Sequence, residues 1–417
     1  CNFGTIIADG VYFWPSGSCT CALPLRGYRG AAPAGDFAFN TPGDADDRLL
    51  VGDATVSATT PARPADWPTR RGNHHRSAAT AVPVPASPST KGTYGPEHLF
   101  QRPDREPEYA AEHKPTVPIA VGDRAFFGNT DGRIVCLDTA SGEAAWEFAA
   151  GGRVMGAPEY WNGRIYAGCA DGNVYALDAA TGALLWKFRV PARDRRIMVF
   201  GELMSTWPVL SGVLVHDGTL YAAAGHAPED SVYVVALDAE TGGLKWEHAD
   251  LANRPDMPQM GRVPAGDMTV AAGKLWVQCG LYAYTAFDLE TGELEPLQEP
   301  MNDKRQKQGS VGQELGVMDG WLIYGGQRRL SDQAERVGSR LKIGRWSGVQ
   351  MARLAEGGLP EYPEVCPWST ALGLPAWDDG LVVNALTYHD KLEAWDREKF
   401  ESWRDAEFKK GLERKFP

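Results

Sequence analysis

The residues best suited to bind a ligand lie in a stretch that interrupts a repeating pattern, "DRRIMVFGELMSTWP" at residues 194–208. Its two consecutive arginines could hold a carboxylate or a phosphate through paired hydrogen bonds, and a serine and a tryptophan could face the same opening. The alternative is a structural crossover whose arginines pair with local acids such as Asp194 and Glu202. The candidate ligand-binding residues are Arg195, Arg196, Ser205 and Trp207.

A second candidate is a group of thiols near the first residue. Thiolates bind copper and zinc, although a closed zinc site needs a fourth ligand. A disulfide is the second interpretation, and it would join Cys1 to Cys19 or Cys21 because cysteines two residues apart rarely bridge each other. Free buried thiols are the third. The sequence leaves these three interpretations open for Cys1, Cys19 and Cys21.

The other polar candidates are weaker. His74 and His75 stand beside arginines in "RRGNHHR" and could bind a metal or an anion, but adjacent histidines in a polar segment are typical of solvated chain. Cys136, Cys169 and Cys279 lie in apolar runs, which predicts small buried side chains. No catalytic triad, phosphate loop or pair of catalytic carboxylates shows a recognisable spacing.

Charge and hydrophobicity disfavour some classes of partner. The chain has 417 residues, 43% of them hydrophobic, and a formal net charge of −12. Nucleic acid and anionic membrane surfaces are therefore excluded as main partners, because both require a basic face. No run of 18 apolar residues occurs, so no transmembrane segment is expected.

One frame of eleven residues returns four times along the chain, as "CLDTASGEAAW" from Cys136, "ALDAATGALLW" from Ala176, "ALDAETGGLKW" from Ala236 and "AFDLETGELEP" from Ala286. Each aspartate can accept hydrogen bonds from the following turn, and each glycine supplies the positive φ that the turn requires. Each tryptophan can fill the gap to a neighbouring unit, although metal binding by the aspartates and substrate stacking on the tryptophans are the functional alternatives. The structural positions of the frame are Asp138, Gly142, Trp146, Asp178, Gly182, Trp186, Asp238, Gly242, Trp246, Asp288 and Gly292.

Short hydrophobic runs around a glycine turn form a second recurring pattern. Seven of these predict β-hairpins, and they begin at Ile7, Val121, Trp161, His216, Ala271, Met318 and Trp377. Repeated hairpins followed by the frame give about four short strands per unit. The sequence therefore predicts an all-β fold, a β-propeller of seven or eight four-stranded antiparallel blades.

The frame Ala-x-Asp-x-x-Thr-Gly-x-x-x-Trp resembles the tryptophan-docking motif of the quinoprotein-like propeller family. That family includes the PQQ-dependent alcohol dehydrogenases and the non-enzymatic barrel-assembly lipoprotein BamB. The resemblance covers Pro118 to about Gln298 well and the remainder loosely. Two further segments, "DWPTRRGNHHRSAATAVPVP" and "DRRIMVFGELMSTWPVLSGVLVHDG", resemble those of the large PQQ-like repeat proteins of planctomycetes.

This resemblance implies an extracytoplasmic location, in the periplasm or at the cell surface. For an enzyme of the family it implies PQQ with Ca, or copper, as cofactor. The sequence departs from the dehydrogenases because it has no adjacent pair of cysteines and no Cys-x-x-Cys-His motif for covalent haem.

Composition shifts divide the chain into four expected parts. Residues 1–35 resemble a blade that closes this propeller or belongs to one upstream, and residues 36–117 are a Pro- and Ala-rich extended linker. Residues 118–388 carry the blades, and residues 389–417 form a charged amphipathic helix. The apolar residues expected near one face of this helix are Leu392, Trp395, Phe400, Trp403, Phe408 and Leu412.

The best interpretation of the sequence is a binding or scaffolding module that presents a propeller face to a protein partner or a small molecule. A second hypothesis is a fragment or subunit of a larger protein, in which the terminal helix recruits another chain instead of docking on its own propeller. The rival hypothesis is an oxidoreductase that carries PQQ or a metal ion in the central funnel.

Overall fold

The computed structural model describes strands β1 to β30 and one helix, α1. The described residues are 6–15, 28–33, 47–80, 82–83, 87, 94, 115–199, 202–226, 231–249, 251, 263–279, 282–295, 314–325, 335–337, 340–342, 349–355, 358, 360–368, 374–386 and 391–415. They fall into two compact units. Unit 1 takes its described residues from 1–18, 24–73 and 80–261, and unit 2 takes them from 74–79 and 262–417.

Unit 1 contains antiparallel sheets built mainly from strands that follow each other in the chain. The sheet orders are β1-β2-β3, β5-β6-β7-β8, β4-β12-β11-β10-β9, β13-β14 and β15-β16-β17-β18. The strands are β1 (Ile6–Ala8), β2 (Val11–Pro15), β3 (Tyr28–Ala31), β4 (Leu49–Val51), β5 (Ile119–Val121), β6 (Arg124–Gly128), β7 (Arg133–Asp138), β8 (Ala144–Ala149), β9 (Glu159–Trp161), β10 (Arg164–Gly168), β11 (Asn173–Asp178), β12 (Leu184–Arg189), β13 (Arg196–Val199), β14 (Glu202–Ser205), β15 (Leu214–His216), β16 (Thr219–Ala224), β17 (Tyr233–Asp238) and β18 (Leu244–His248).

Unit 2 contains further antiparallel sheets and the helix. The sheet orders are β19-β20-β21, β22-β23-β26-β27, β24-β25 and β28-β29-β30. The elements are β19 (Pro264–Ala271), β20 (Lys274–Cys279), β21 (Tyr282–Asp288), β22 (Glu314–Met318), β23 (Trp321–Gly325), β24 (Glu335–Val337), β25 (Arg340–Lys342), β26 (Val349–Leu354), β27 (Pro360–Trp368), β28 (Ala376–Trp377), β29 (Leu381–Leu386), β30 (Lys391–Asp396) and α1 (Arg397–Lys415).

All seven predicted hairpins form in the described residues, and their turns explain why. Asn162 and Gly163, for example, both have positive φ, 46° and 79°, as a two-residue turn with the twist of its flanking strands requires. The same pairing of an Asp or Ala with Gly recurs at Asp9, Asp217, Ala272 and Asp319. The hairpins are β1–β2, β5–β6, β9–β10, β15–β16, β19–β20, β22–β23 and β28–β29.

In its first three copies, the repeated frame connects the third strand of a sheet to the fourth. In the second copy, the Asp178 carboxylate accepts a hydrogen bond from the Thr181 amide at 2.8 Å and one from its hydroxyl at 2.7 Å. Gly182 closes the turn with φ at 73° and donates its amide to the Asp178 carbonyl at 2.8 Å. The aspartates of the other copies cap their own turns in the same way.

The tryptophans of the first two frames reach the following sheet. Trp146 donates its Nε1 to the Ala179 carbonyl at 3.1 Å, and a Cβ on Gly182 would come within 2.6 Å of its ring. Trp186 donates to the Glu240 carbonyl at 3.1 Å and lies as close to Gly242. Since each indole lies flat on a glycine of the next sheet, these contacts set the spacing between neighbouring sheets of unit 1.

Apolar clusters fill the spaces between consecutive sheets. One lies between the β5–β8 and β9–β12 sheets and buries Cys136 and Cys169, and another lies between the β9–β12 and β15–β18 sheets around Trp186. Cys136, Cys169 and Cys279 are fully buried, which confirms the burial that the sequence predicts for them. Burial raises the pKa of the Cys136 thiol to about 12.

The C-terminal helix packs on its own unit but starts later than the sequence predicts. Asp396 caps it by accepting the Lys399 amide at 3.2 Å, so residues 391–396, expected in the helix, instead form β30 against β29. Phe400 is fully buried and Phe408 is 6% exposed, both in a cluster with Trp321. The apolar face of α1 is thus used within unit 2, as intramolecular docking predicts.

The predicted fold class is confirmed. The chain is an all-β propeller of four-stranded antiparallel blades with one C-terminal helix. The described residues form seven sheets of three or more strands, in keeping with the predicted seven or eight blades. Within the described residues, no helix is long and apolar enough to cross a membrane.

Candidate functional site

The two candidate arginines lie on an exposed hairpin of unit 1. Arg196 is the first residue of β13, and it forms an ion pair with Asp194, Nε to Oδ1, at 3.1 Å. The hydrogen bond with Asp194 raises the pKa of Arg196. The side chains of the pair are 41% and 47% exposed, so the charge of Arg196 is shared with a neighbouring acid at the surface. This is the local pairing that the structural interpretation of the sequence anticipates.

Ser205 and Trp207 are buried, with 1% of each exposed. Ser205 lies opposite Arg196 in the β13–β14 ladder, yet its hydroxyl accepts the Trp207 amide at 3.1 Å. The Trp207 ring packs edge-on against Tyr233 with centroids 5.9 Å apart. The four candidate residues therefore share a stretch of chain without sharing one open surface, and a ligand for them stays a prediction.

The thiol candidates Cys1, Cys19 and Cys21 lie outside the described residues. Where the chain is described, no three His, Cys, Asp or Glu side chains are grouped in a way that could hold a metal ion. The rings of His74 and His75 lie 4.1 Å apart, tilted by 52°.

The feature that sequence reasoning missed is the path of residues 47–79, which were expected to be a linker. Strand β4 pairs antiparallel with β12, the last strand of the β9–β12 sheet. Farther along, the Ser57 amide and hydroxyl donate to the Asp178 carboxylate at 2.6 and 2.9 Å. Tyr160, on the first strand of the same sheet, donates its hydroxyl to the Thr60 carbonyl at 2.7 Å. The segment thus crosses one whole sheet from its last strand to its first.

Asp66 anchors this segment to the β5–β6 turn. Its carboxylate accepts the Arg63 amide at 2.8 Å, the Arg63 guanidinium at 2.9 Å and the Gly122 amide at 3.0 Å. The hydrogen bond from the Arg63 side chain is the main reason that the pKa of Asp66 falls to about 2. The carboxylate is therefore ionised at all physiological pH values and holds the segment in place.

Beyond Asp66, the segment joins the first strands of two sheets of unit 1. Trp67 and Ala120 exchange backbone hydrogen bonds of 2.6 and 2.9 Å, and the Tyr160 amide donates to the Pro68 carbonyl at 2.8 Å. Thr69 donates its hydroxyl to Glu159, an acid that is 5% exposed. The segment therefore occupies hydrogen-bonding positions on the first strands of the β5–β8 and β9–β12 sheets.

In unit 2, residues 74–77 form hydrogen bonds with the first strands of three sheets. Thr269 of β19 donates its hydroxyl to the His74 carbonyl at 2.5 Å. Val317 of β22 donates its amide to the His75 carbonyl at 3.0 Å, and Trp377 of β28 donates to the Ser77 carbonyl at 3.0 Å. Arg76, which is 2% exposed, donates its Nε to the Met268 carbonyl at 3.1 Å.

The backbone of this segment is strained. Arg71, Arg76 and Ala78 have positive φ of 59°, 61° and 56°. Such values cost roughly 1–2 kcal/mol for residues other than glycine, and they persist only where surrounding contacts enforce them. Three of them within eight residues mark a segment whose conformation is set by its position in the fold. The signal available beforehand was the resemblance of "DWPTRRGNHHR" to a segment of known repeat proteins.

Part of the sequence matches a known family. Residues 97–249 and 170–302 match the sequence family described as "Outer membrane protein assembly factor BamB". Together the two overlapping matches span slightly less than half of the chain. No protein with a curated description matches the chain in sequence.

Among solved structures, BamB from Moraxella catarrhalis is similar at 17% identity with a TM-score of 0.45, covering 67% of this chain and 71% of that one. A quinohemoprotein alcohol dehydrogenase from Comamonas testosteroni is similar at 16% identity and a TM-score of 0.45, covering 78% and 58%. Another from Pseudomonas putida HK5 is similar at 15% identity and a TM-score of 0.45, covering 80% and 48%. This chain thus spans about half to seven tenths of these proteins. The match of residues 97–302 assigns its repeats to the PQQ-like, BamB-like type.

Proposed function

We propose that this protein is an extracytoplasmic propeller that acts as a binding or scaffolding module for a protein partner. The observation that carries the proposal is the path of residues 66–77. The chain itself supplies hydrogen-bond partners to the first strands β5 and β9 in unit 1, and to β19, β22 and β28 in unit 2. The backbone groups that the segment binds on these strands are not open to a cofactor. The surfaces left for recognition are the outer strands and the connecting loops.

Three of the candidate ligand-binding residues, Arg196, Ser205 and Trp207, lack the arrangement that an anionic quinone such as PQQ requires. Such a molecule needs several unshared cationic or hydroxyl donors converging on one cleft. Arg196 is paired with Asp194, Ser205 is only 1% exposed, and Trp207 is buried among apolar side chains. Binding of a partner at the surface accounts for the described geometry better than binding of PQQ with Ca, or of copper, at these residues.

The first test is elemental and absorbance analysis of the protein purified from its native host. We expect neither a stoichiometric metal nor a quinone band. A quinone or a metal present at one equivalent would overturn the scaffold proposal in favour of an oxidoreductase.

The second test places a photo-crosslinking amino acid at exposed apolar positions in the native host. Leu203 and Leu381 are 55% and 42% exposed, and they lie in unit 1 and unit 2 respectively. The matched control is Val235, which is fully buried. We expect a discrete crosslinked protein from at least one exposed position and none from the control. Absence of any crosslink from these two positions and from Ala145, an exposed residue of β8, would contradict a protein-binding role.

A further inference from the structure

The β9–β12 sheet shows how this fold binds an extended segment. Strand β4 adds to the outer edge of β12 with Leu49 opposite Phe188 and Val51 opposite Trp186. The Arg189 amide donates to the Arg48 carbonyl at 2.9 Å, and the Gly52 amide donates to the Leu185 carbonyl at 2.8 Å. Three residues and two flanking bonds are thus enough to add a fifth strand to this blade.

The preceding sheet offers the same edge. The β7–β8 pair has the same register as the β11–β12 pair, and both have a bulge at the equivalent position. Residues 145, 147 and 149 of β8 therefore correspond to 185, 187 and 189 of β12. In an antiparallel ladder these alternate residues direct both backbone polar groups away from the inner neighbour.

The two edges differ in what covers them. No described residue pairs with the outer edge of β8. Ala145, Glu147 and Ala149 are exposed, whereas Leu185 of β12 is buried. Unpaired strand edges are templates for the addition of another strand.

We propose that the outer edge of β8 binds an extended segment of a protein partner by strand addition, in the way that β12 binds β4. This inference rests on the proposed binding function and names its surface and the class of partner. The segment runs antiparallel to β8 and exchanges hydrogen bonds with the backbone of Ala145, Glu147 and Ala149.

The β4 contacts define the chemistry of that segment. An apolar residue is needed at the position of Leu49, which packs on the cluster around Trp186. A glycine is needed at the position of Gly52, where a Cβ would come within 2.1 Å of the Leu184 carbonyl oxygen. Leu50 lies opposite Lys187, and the equivalent residue of β8 is Glu147. Glu147 already accepts hydrogen bonds from Tyr94 and Arg133, but its two oxygens have room for a further donor. Opposite charges across strands are stabilising, so the partner carries lysine or arginine there.

The probe is a fluorescein-labelled peptide of residues 47–53 carrying Leu50→Lys, titrated with the full chain and followed by fluorescence anisotropy. Two N-methylated versions of this peptide are compared with it. Methylation at Gly52 removes an amide that faces the receiving strand, whereas methylation at Val51 removes one that faces away. We expect the first change to weaken binding at least tenfold and the second to change it less than threefold. Equal effects, or no binding of the parent peptide, would overturn the proposal.

Protein variants locate the edge. Glu147→Pro removes an amide of β8 that faces outward, and proline is tolerated on edge strands. Glu147→Ala keeps this amide and removes only the side chain, which binds Arg133 and Tyr94. We expect Glu147→Pro to weaken the peptide at least tenfold and Glu147→Ala less than threefold. Equal affinity for the two variants would show that the peptide displaces β4 at β12 instead. Crosslinks from Leu203 or Leu381 together with a failed peptide titration would refute this inference and leave the binding function standing.

Discussion

Asp178 and Asp238 occupy the same position of the same frame in adjacent sheets of unit 1, yet their surroundings differ. Asp238 accepts hydrogen bonds only from its own turn, with Lys245 3.9 Å away, and its side chain is 38% exposed. Asp178 makes the same turn contacts and also accepts two hydrogen bonds from Ser57, and it is 1% exposed. The difference comes entirely from residues 47–69, which lie over one copy of the frame.

This comparison separates two kinds of structure in one molecule. The capped turn of the frame is local, because its hydrogen bonds lie within five residues and recur in all four copies. Residues 47–79 are non-local, because their partners lie as much as 195 residues away, as between His74 and Thr269. Among the described residues, the Asp238 carboxylate accepts hydrogen bonds only from its own turn. The equivalent carboxylate of Asp178 also binds a segment that is distant in sequence.

The largest effect is expected from Asp178→Ala. The change leaves the Ser57 and Thr181 amides without their acceptor in a buried place, and we expect a loss of about 3 kcal/mol in the free energy of unfolding. Asp238→Ala, in the same unit, is the matched control, with an expected loss of about 1 kcal/mol because water can replace the carboxylate. Urea denaturation of both variants measures the difference. Equal losses would mean that the segment adds nothing to the Asp178 copy.

The next effect is expected from Gly182→Ala, which tests the frame itself. Positive φ costs alanine roughly 1 kcal/mol, and the new methyl group would press on the Trp146 ring, for a total of about 2 kcal/mol or more. Gly218→Ala isolates the backbone cost, because Gly218 also has positive φ, 70°, and its nearest ring atom is 3.8 Å from the added Cβ. If the two variants lose equal stability, the indole contact contributes nothing.

Acid should weaken the anchoring of the segment at Asp66. The pKa of Asp66 in the folded protein, about 2, lies below the ordinary value of 3.8, so its stabilisation is complete above about pH 5 and is lost as the pH falls toward 2. Arg63 is exposed, so water screens its interaction with Asp66. We therefore expect the free energy of unfolding to fall by about 1.5 kcal/mol. Asp66→Asn should show a correspondingly flatter decline of stability between pH 5 and pH 2.5. Asp123→Asn, at a carboxylate that is 77% exposed, serves as the control. Identical pH profiles for Asp66→Asn and the unaltered chain would contradict the anchoring role.

The smallest effect is expected from Ser57→Ala. It removes one hydroxyl hydrogen bond to Asp178 and keeps the backbone bond, so we expect a loss of about 0.5–1 kcal/mol. In the Asp178→Ala background the same change should cost nothing, and this double-mutant cycle measures the coupling between segment and frame. Additive losses in the cycle would show that Ser57 acts through something other than Asp178.

Much of the fold could be predicted because its signals are local. The glycine turns give the hairpins, and the aspartate, glycine and tryptophan of each frame give the link between the third and fourth strands. The helix was predicted, but its start was placed too early, because the alternation in "KLEAW" supports strand pairing with β29 and only the Asp396 cap decides between the two.

The candidate site could be predicted only in part. The sequence brings Arg195, Arg196, Ser205 and Trp207 together along the chain, and side-chain burial then separates them. Residues 47–79 lack periodicity, so no local pattern indicates that Leu49–Val51 add to β12 or that Ser77 contacts β28.

The sequence by itself determined the repeating unit, because a capped turn and a glycine with positive φ act within a few residues and the tryptophan returns at a fixed offset from them. Tertiary structure alone decided where the irregular segment lies. Its hydrogen bonds use backbone groups that every residue possesses, so their partners depend on which strand edges remain unpaired after the sheets have formed. For the same physical reason, the outer edge of β8 is a surface that the sequence does not reveal.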